Sequence, residues 1–275
     1  MEKHDKKPLV SVIMATYNEP ESFIKSSIAS ILAQTYRNWE LLIADDSTQP
    51  DTIRVINDFA EQDSRIRILR KNSRMGFVPA LNYALDNAKG DLLARMDGDD
   101  VSYPDRIEKQ VTFALHNPKI DLWGGSMKIM DEQGRIISER HYPCASSCIK
   151  RMFVFRSPFS HPTIMFRRSI ITSGLRYDPQ YKRAEDIDFY YRVYKAGFRF
   201  GNMPDFLLKY RTVGDQQHKR PHAQWVWNNR ARFHNFIFRK PFFSAMALLV
   251  SCIYVCVPSS VVSLFYRKEN SKYTA

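Results

Sequence analysis

Cysteine is scarce in this chain: four residues in 275. That is too few to staple a chain of this length, which excludes a disulfide scaffold and points to a reducing setting. Cys144 and Cys148 could join His141 around zinc only with a fourth ligand. No second His/Cys pair follows at finger-like spacing, so they read as loop residues. Glycine is sparse too, with ten residues, and none lies in the turn Ala15 to Pro20 after the first apolar segment. That gap argues against a dinucleotide oxidoreductase, whose phosphate turn needs G-x-G-x-x-G. It argues equally against a sugar nucleotidyltransferase, which needs a Gly-rich basic loop. Met1 to Lys7 shows no apolar stretch with a small-residue cleavage site, so no secretory leader is read there. Acid is the minority charge: 41 Lys+Arg against 29 Asp+Glu leave +12. Such a surface attracts nucleotide phosphates, anionic lipid or nucleic acid, and charge alone does not choose among them.

What is present is an alternation. Leu9 to Met14, Glu40 to Ala44, Ile66 to Leu69 and Asp91 to Met96 are strand-like, and Glu21 to Ala33, Asp51 to Ala60 and Phe77 to Ala88 are helix-like. Strands alternating with helices predict an α/β fold with a mostly parallel sheet covered on both faces. Ligands of such sheets gather beyond the strand carboxyl ends. Three polar motifs fall there: Thr16 to Asn18, Asp45 to Ser47 and Asp97 to Asp100. A helix is expected at Pro104 to His116, with Pro104 in its first turn and Asp105 at the positive end of its dipole. Trp123 to Met130 and Arg135 to Glu139 read as a hairpin around Asp131 to Gly134. Arg151 to Phe166 is aromatic and basic, and Ala184 to Lys195 is helix-like.

From Phe242 to Tyr266 no residue is charged, and basic pairs flank the run. That is long enough to span a bilayer core of ~30 Å. Pro258 and several serines leave an in-plane or re-entrant anchor as the rival reading, and a buried helix of the main domain as a third. Cys252 and Cys256 lie in this run as packed or membrane-facing residues. The expected division is a charged extension 1–8, a catalytic domain 9–215, a basic and aromatic linker 216–240, and an apolar membrane-anchoring tail 241–275.

Asp97, Asp99 and Asp100 project from one glycine-relieved turn after an apolar strand. Carboxylates this close call for a cation, and hard ions such as Mn²⁺ or Mg²⁺ bind them while keeping positions open for phosphate oxygens. Asp-Gly-Asp is also an ordinary surface turn, and its place at a strand end is what favours chemistry. Glu185, Asp186 and Asp188 at a helix start are candidate proton acceptors, or simply charges complementing the helix dipole. Asp46 could accept a base N–H while Tyr17 covers a base face, or Asp45 and Asp46 could form an Asp turn with Ser47.

Taken together and in order, Val10 to Asn18, Ala44 to Thr48, Gly76 to Asn82, Ala94 to Asp100, Pro104-Asp105-Arg106, His161-Pro162-Thr163 and Glu185-Asp186-Ile187-Asp188 resemble glycosyltransferase family two across about Leu9 to Arg211. The resemblance implies the GT-A fold, a Rossmann-like nucleotide-binding half with a mixed sheet, and inverting transfer. It implies nucleotide contacts at Tyr17 and Asp46, with Arg74 near the donor and Asp97 facing ribose or donor sugar. Asp99 would bind the metal, Asp100 would be a second candidate ligand, and Asp186 would be the base. It places His161 and Thr163, beside Glu185, at the acceptor, and Arg211 and His218 in a mobile loop over the diphosphate. Processive members carry Gln-x-x-Arg-Trp, whereas here Gln217-His218-Lys219-Arg220 precedes Pro221, so single-sugar addition is expected.

Between Lys209 and Lys240 basic and aromatic residues crowd together with Asp215 as the lone acid, a pattern suited to an anionic leaflet. The expectation is therefore a UDP-sugar donor, a lipid-linked saccharide acceptor and a membrane surface as partners, with no nucleic acid. The expected place is the cytoplasmic face of a bacterial inner membrane, as a peripheral or single-span protein. Transfer to lipopolysaccharide core or to a soluble or protein acceptor is the rival within the family. A noncatalytic basic membrane- or nucleic-acid-binding protein is the rival outside it, and would need neither acidic cluster.

Overall fold

The structure, a computed structural model, describes residues 7–214, 222–237 and 241–256. Its first half is four parallel strands in the order β3-β2-β1-β4: β1 (Val10–Thr16), β2 (Trp39–Asp45), β3 (Ile66–Leu69) and β4 (Leu92–Asp97). Helices α1 (Glu21–Leu32), α2 (Pro50–Gln62) and α3 (Phe77–Asn87) connect them. β1 and β2 are buried along their whole length, as a central parallel sheet covered on both faces requires. Alternate residues serve opposite cores. Val12, Met14, Leu41, Ile43, Ala94 and Met96 pack with Ile24 and Ile28 of α1, while Ile13, Ala15, Leu42, Ala44 and Leu93 pack with Val78, Leu81 and Leu85 of α3. Strand parity therefore places Arg95 and Asp97 on the face of Leu93.

The second half makes the sheet mixed. β8 (Met165–Arg167) runs antiparallel between β4 and β6 (Leu122–Met130). β9 (Phe200–Arg211) lies parallel to β6, β5 (Val101–Ser102) pairs antiparallel with β9, and β7 (Ile136–Arg140) forms the expected hairpin with β6. The α/β class with a mixed sheet matches the sequence reading. β9, twelve residues long, went unread because Pro204 breaks the pattern. The ladder absorbs it where pairing jumps from Gly124↔Asn202 to Ser126↔Phe206, leaving the proline in a bulge where its missing N–H does no harm.

α4 (Arg106–His116) begins two residues later than expected, so Pro104 precedes the helix and is not in its first turn. Asp105 stands at the cap position without a side-chain capping bond, and its carboxylate meets Lys109 at 3.0 Å. The remaining helices are α5 (Ser146–Phe155), α6 (Ser169–Thr172), α7 (Glu185–Lys195), α8 (His222–His234) and α9 (Pro241–Cys256). α8 packs on α7 and α9, and α9 also packs on α5. Ser244, Ala247 and Ser251 form the inward side of α9, while Phe242, Leu249 and Ile253 face out. Among the described residues no helix is long and apolar enough to cross a membrane; the 16 residues of α9 extend about 24 Å.

Candidate active site

The order β3-β2-β1-β4 turns back on itself between β1 and β4, and the loops leaving their carboxyl ends part there to open a crevice. On the β1 side Asn18 takes a left-handed backbone (φ 60°). Its N–H donates to Ser47 Oγ at 3.0 Å, and its Oδ1 accepts the N–H groups of Thr48 and Gln49 at 2.8 and 2.9 Å. The two loops are thereby tied together. Asp45 is consumed structurally, accepting from Thr16 Oγ1, Ser47 N and Arg70 Nε. Asp46 points to the next loop, where its two oxygens accept the N–H groups of Met75 at 2.9 Å and Gly76 at 2.7 Å. Each oxygen keeps a further lone pair for a ligand. The guanidinium of Arg74 lies 3.7 Å over the ring of Tyr17, which is 44% exposed. Tyr17, Asp46 and Arg74 thus gather on one wall.

β4 delivers the acidic turn. Oxygens of Asp97, Asp99 and Asp100 lie within 4.8 Å of one another. Asp97 is engaged by Arg95 through both carboxylate oxygens, so its charge is already matched. Asp100 is fully buried; its Oδ1 accepts the N–H of Arg211 at 2.9 Å, and its Oδ2 has no hydrogen-bond partner. Burial, followed by the repulsion of Asp97, pushes Asp99 up to about 6. Burial, with Asp97 and Asp99, holds Asp100 well above the carboxylate range. A buried anion with an orphaned oxygen is costly, and a hard divalent ion supplies what it lacks. Asp99 and Asp100 are therefore the residues that would hold a metal, while Asp97 faces the cleft.

The opposite wall is the start of α7. Ala184 precedes it in a left-handed conformation (φ 60°), a placement that costs a residue with a Cβ about 1 kcal/mol. This turn sets Glu185 and Asp186 into the same cleft as Asp97, Arg95 and His161, a space of about 580 Å³. Burial, followed by the charge of Asp186, pushes Glu185 up to about 7. His161 Nδ1 is 3.9 Å from Glu185 Oε1, and its Nε2 is 2.8 Å from the Tyr177 hydroxyl. Burial, then Arg95, drives His161 well below its ordinary range, so the ring is neutral at pH 7 and this contact is not an ion pair.

Three expectations need correction. Thr163 is fully buried, and its hydroxyl is spent on the carbonyls of Ser160 and Gly125, so it lies behind the cleft rather than at its surface. Arg211 belongs to β9 and not to a loop. Its Nε donates to the Asp99 carbonyl at 2.9 Å and its Nη1 to that of Glu132 at 3.0 Å, clamping the acidic turn. Asp188 is buried and committed to Arg192 and Asn235. His218 lies outside the described residues.

The sequence reading missed Arg95, Tyr177 and Glu19. Glu19 accepts the Tyr17 N–H at 2.9 Å, and burial pushes it up to about 7, with Asp99 and Asp97 adding smaller contributions. Arg106, of the Pro104-Asp105-Arg106 motif, has a structural role. Fully buried, it donates to the carbonyls of Arg95 and Pro162 at 2.7 and 2.9 Å, tying the end of β4 to the His161 turn.

Residues 11–176 match the family model described as "Glycosyl transferase family 2". The chain is a family 2 glycosyltransferase. It is 32% identical, over 97% of its length and 95% of the relative's, to an uncharacterized glycosyltransferase of Methanocaldococcus jannaschii. To the O-antigen biosynthesis glycosyltransferase WbnJ of Escherichia coli it is 34% identical over 74% of the chain and 79% of that protein. A third relative, the E. coli UDP-Glc:α-D-GlcNAc-diphosphoundecaprenol β-1,3-glucosyltransferase WfgD, is 33% identical over 57% of the chain and 65% of its own length. The glycosyltransferase fold is shared with Staphylococcus aureus TarS 1-349 solved with UDP-GlcNAc: TM-score 0.67 at 17% identity, covering 87% of this chain and 70% of that one.

Linkage supplies a test of the acidic turn. Carboxylates raised by burial are penalised once ionised: below about pH 4 the penalty is absent, and it grows as pH rises toward the native values, about 6 for Asp99 and well above the ordinary carboxylate range for Asp100. Because a metal binds only the ionised forms, the rise in Tm between EDTA and Mn²⁺ is expected to be small at pH 5 and to grow up to pH 7.5. Thermal melts at both pH values check this, and a pH-independent difference would remove the Asp99–Asp100 assignment.

Proposed function

We propose that this glycosyltransferase is metal-dependent and inverting, and that it moves one sugar from a UDP-sugar to a membrane-linked saccharide at the cytoplasmic face of a bacterial inner membrane. The acceptor would be of the undecaprenyl-diphosphate type used to assemble O-antigen and related surface polysaccharides. One observation carries the reading: Asp97, at the head of the acidic turn after β4, lines a single cleft together with Glu185 and Asp186, which open α7.

In this scheme Tyr17, Arg74 and Asp46 bind the base, and Asp97, held by Arg95, positions the donor sugar. Asp99 and Asp100 would hold a divalent ion, whose charge would offset the negative charge gathering on the departing diphosphate. The acceptor oxygen bonds to the anomeric carbon as its bond to the diphosphate breaks. The electron pair leaves with UDP, and the hydroxyl proton passes to the Asp186 carboxylate on the opposite side. Glu185, held near a neutral His161, borders the acceptor without adding a full second charge at pH 7. Support for the membrane setting comes from the outward Phe242, Leu249 and Ile253 of α9 and the exposed Phe233 of α8, in a chain of net charge +12.

The test is a panel of nucleotide sugars offered with saccharide-diphosphate lipids in anionic vesicles. The expected product is the acceptor extended by one sugar of inverted configuration, from a UDP-sugar. Transfer only from GDP-sugars, or equal use of free soluble saccharides, would contradict the reading.

A further inference from the structure

A chain of polar contacts reaches the cleft from α3, and the transfer scheme leaves it unused. It begins at Asn82. The Asn82 Nδ2 donates to the Tyr177 carbonyl at 2.8 Å and its Oδ1 accepts the Tyr177 N–H at 3.0 Å, so one side chain grips both backbone groups of Tyr177. The Tyr177 ring lies against Phe189 of α7, with centroids 4.4 Å apart. Its hydroxyl meets His161 Nε2 at 2.8 Å, and His161 Nδ1 faces Glu185 Oε1 at 3.9 Å. His161 and Glu185 line the cleft, whereas Tyr177 is 2% exposed and stands behind them. Tyr177 therefore reaches the cleft through the imidazole.

A neutral imidazole carries one proton on either nitrogen, and the groups it meets select which. Burial, then Arg95, keep the His161 ring neutral. Burial also raises the Tyr177 hydroxyl far above the ordinary phenol range, against a smaller lowering by Arg95, so this hydroxyl keeps its proton and can donate it. The choice then turns on Glu185. Burial and the charge of Asp186 push Glu185 up to about 7, so at pH 8 it is mainly a carboxylate, which only accepts. A proton on Nε2 would set the bare lone pair of Nδ1 against that carboxylate, whereas a proton on Nδ1 turns an N–H toward it. We propose that Tyr177 donates to His161 Nε2 and so fixes the Nδ1–H tautomer, which holds one oxygen of Glu185 and leaves the other to receive a hydroxyl of the acceptor sugar. On the glycosyl-transfer reading of the cleft, which this inference presupposes, Tyr177 and His161 are positioning residues and Glu185 makes the contact. At 3.9 Å the Nδ1–Glu185 contact is longer than a hydrogen bond. It shortens when the acceptor fills the cleft.

The tautomer is read from the ¹⁵N spectrum of histidine-labelled protein at pH 8 without substrate. His161 is identified among the seven histidines by the signals lost in His161→Gln. The wild type is expected to show a protonated Nδ1 and a bare Nε2, and Tyr177→Phe a mixture of the two tautomers. Phenylalanine keeps the ring against Phe189 and the backbone grip of Asn82, so the fold is retained. Acceptor binding is measured by calorimetric titration of monosaccharide-diphosphate alkyl lipids, of hexose and N-acetylhexosamine type, into protein saturated with UDP and Mn²⁺. For the lipid that the wild type binds best, Tyr177→Phe and Glu185→Ala are each expected to weaken binding about tenfold and to leave UDP affinity within about twofold. Deleting one hydroxyl of that sugar should cost the wild type about tenfold and Glu185→Ala nothing further. A proton on Nε2 in the wild type, unchanged acceptor binding in Tyr177→Phe, or an equal fall in UDP affinity would overturn the proposal. Failure of the wild type to bind any of these lipids would overturn its acceptor half. Acceptor binding that responds as expected, with no transfer from any nucleotide sugar, would instead sink the transfer reading and leave the Tyr177–His161–Glu185 relay standing.

Discussion

Asp186→Asn is expected to lower kcat for glycosyl transfer by about 10³-fold, because asparagine keeps the size of the side chain and cannot take a proton. Asp186 lines the cleft, half-buried, in the first turn of α7, and α7 is packed through its buried Ile187, Phe189, Tyr190 and Val193. Removing its charge also removes one of the causes that raise Glu185, so thermal stability should hold or rise. Donor binding, which belongs to the opposite wall, should remain within about twofold. Steady-state rates together with UDP titration and a thermal melt check all three. Retained transfer would move the base to Glu185, the other carboxylate on that wall.

The second large effect belongs to the acidic turn. Asp99→Ala is expected to cost about 10³-fold or more in kcat/KM, since the ion that Asp99 would hold would offset the leaving diphosphate's charge mainly in the transition state. Asp100→Asn should differ in kind. Asp100 is fully buried, accepts the backbone of Arg211 through one oxygen and leaves the other without a partner. Replacing it removes a buried charge whose ionisation the fold resists. The metal-free variant should therefore melt at least as high as the wild type while losing most of the Mn²⁺-induced stabilisation. Rates and melts in EDTA and in Mn²⁺ distinguish the two variants. Equal activity of Asp99→Ala and wild type would show that this turn does not serve the leaving group.

Much of this was legible from residue order. Alternating apolar strands and helices announced a mostly parallel sheet, and the polar motifs at strand ends announced its crevice; the order β3-β2-β1-β4 came only with the structure. What escaped has particular causes. Arg95 sits within the apolar run Leu92 to Met96 and looks like an interruption. Two-residue parity with Asp97 was the available signal, since residues i and i+2 share a strand face. Glu19 follows Tyr17 by two positions in a turn that reads as solvent-exposed, and its carboxyl group is brought beside Gly98 of the acidic turn by a tertiary contact that residue order does not show. The left-handed Ala184 that aims Glu185 and Asp186 leaves no mark in composition, because alanine carries no preference for that conformation. In the tail, serines read as weakening a membrane segment. Ser244 and Ser251, with Ala247, are the small residues on the inward side of α9.

The central claim is that a divalent ion and a nucleotide diphosphate meet at the turn after β4. It is tested most directly by calorimetric titration of UDP into the purified protein in EDTA and again in Mn²⁺. The ion should tighten UDP binding by about 10-fold or more, because Asp99 and Asp100 would hold it where it could offset the charge of the diphosphate. Asp99→Ala should abolish that difference. Equal UDP affinity in EDTA and in Mn²⁺ would contradict the account.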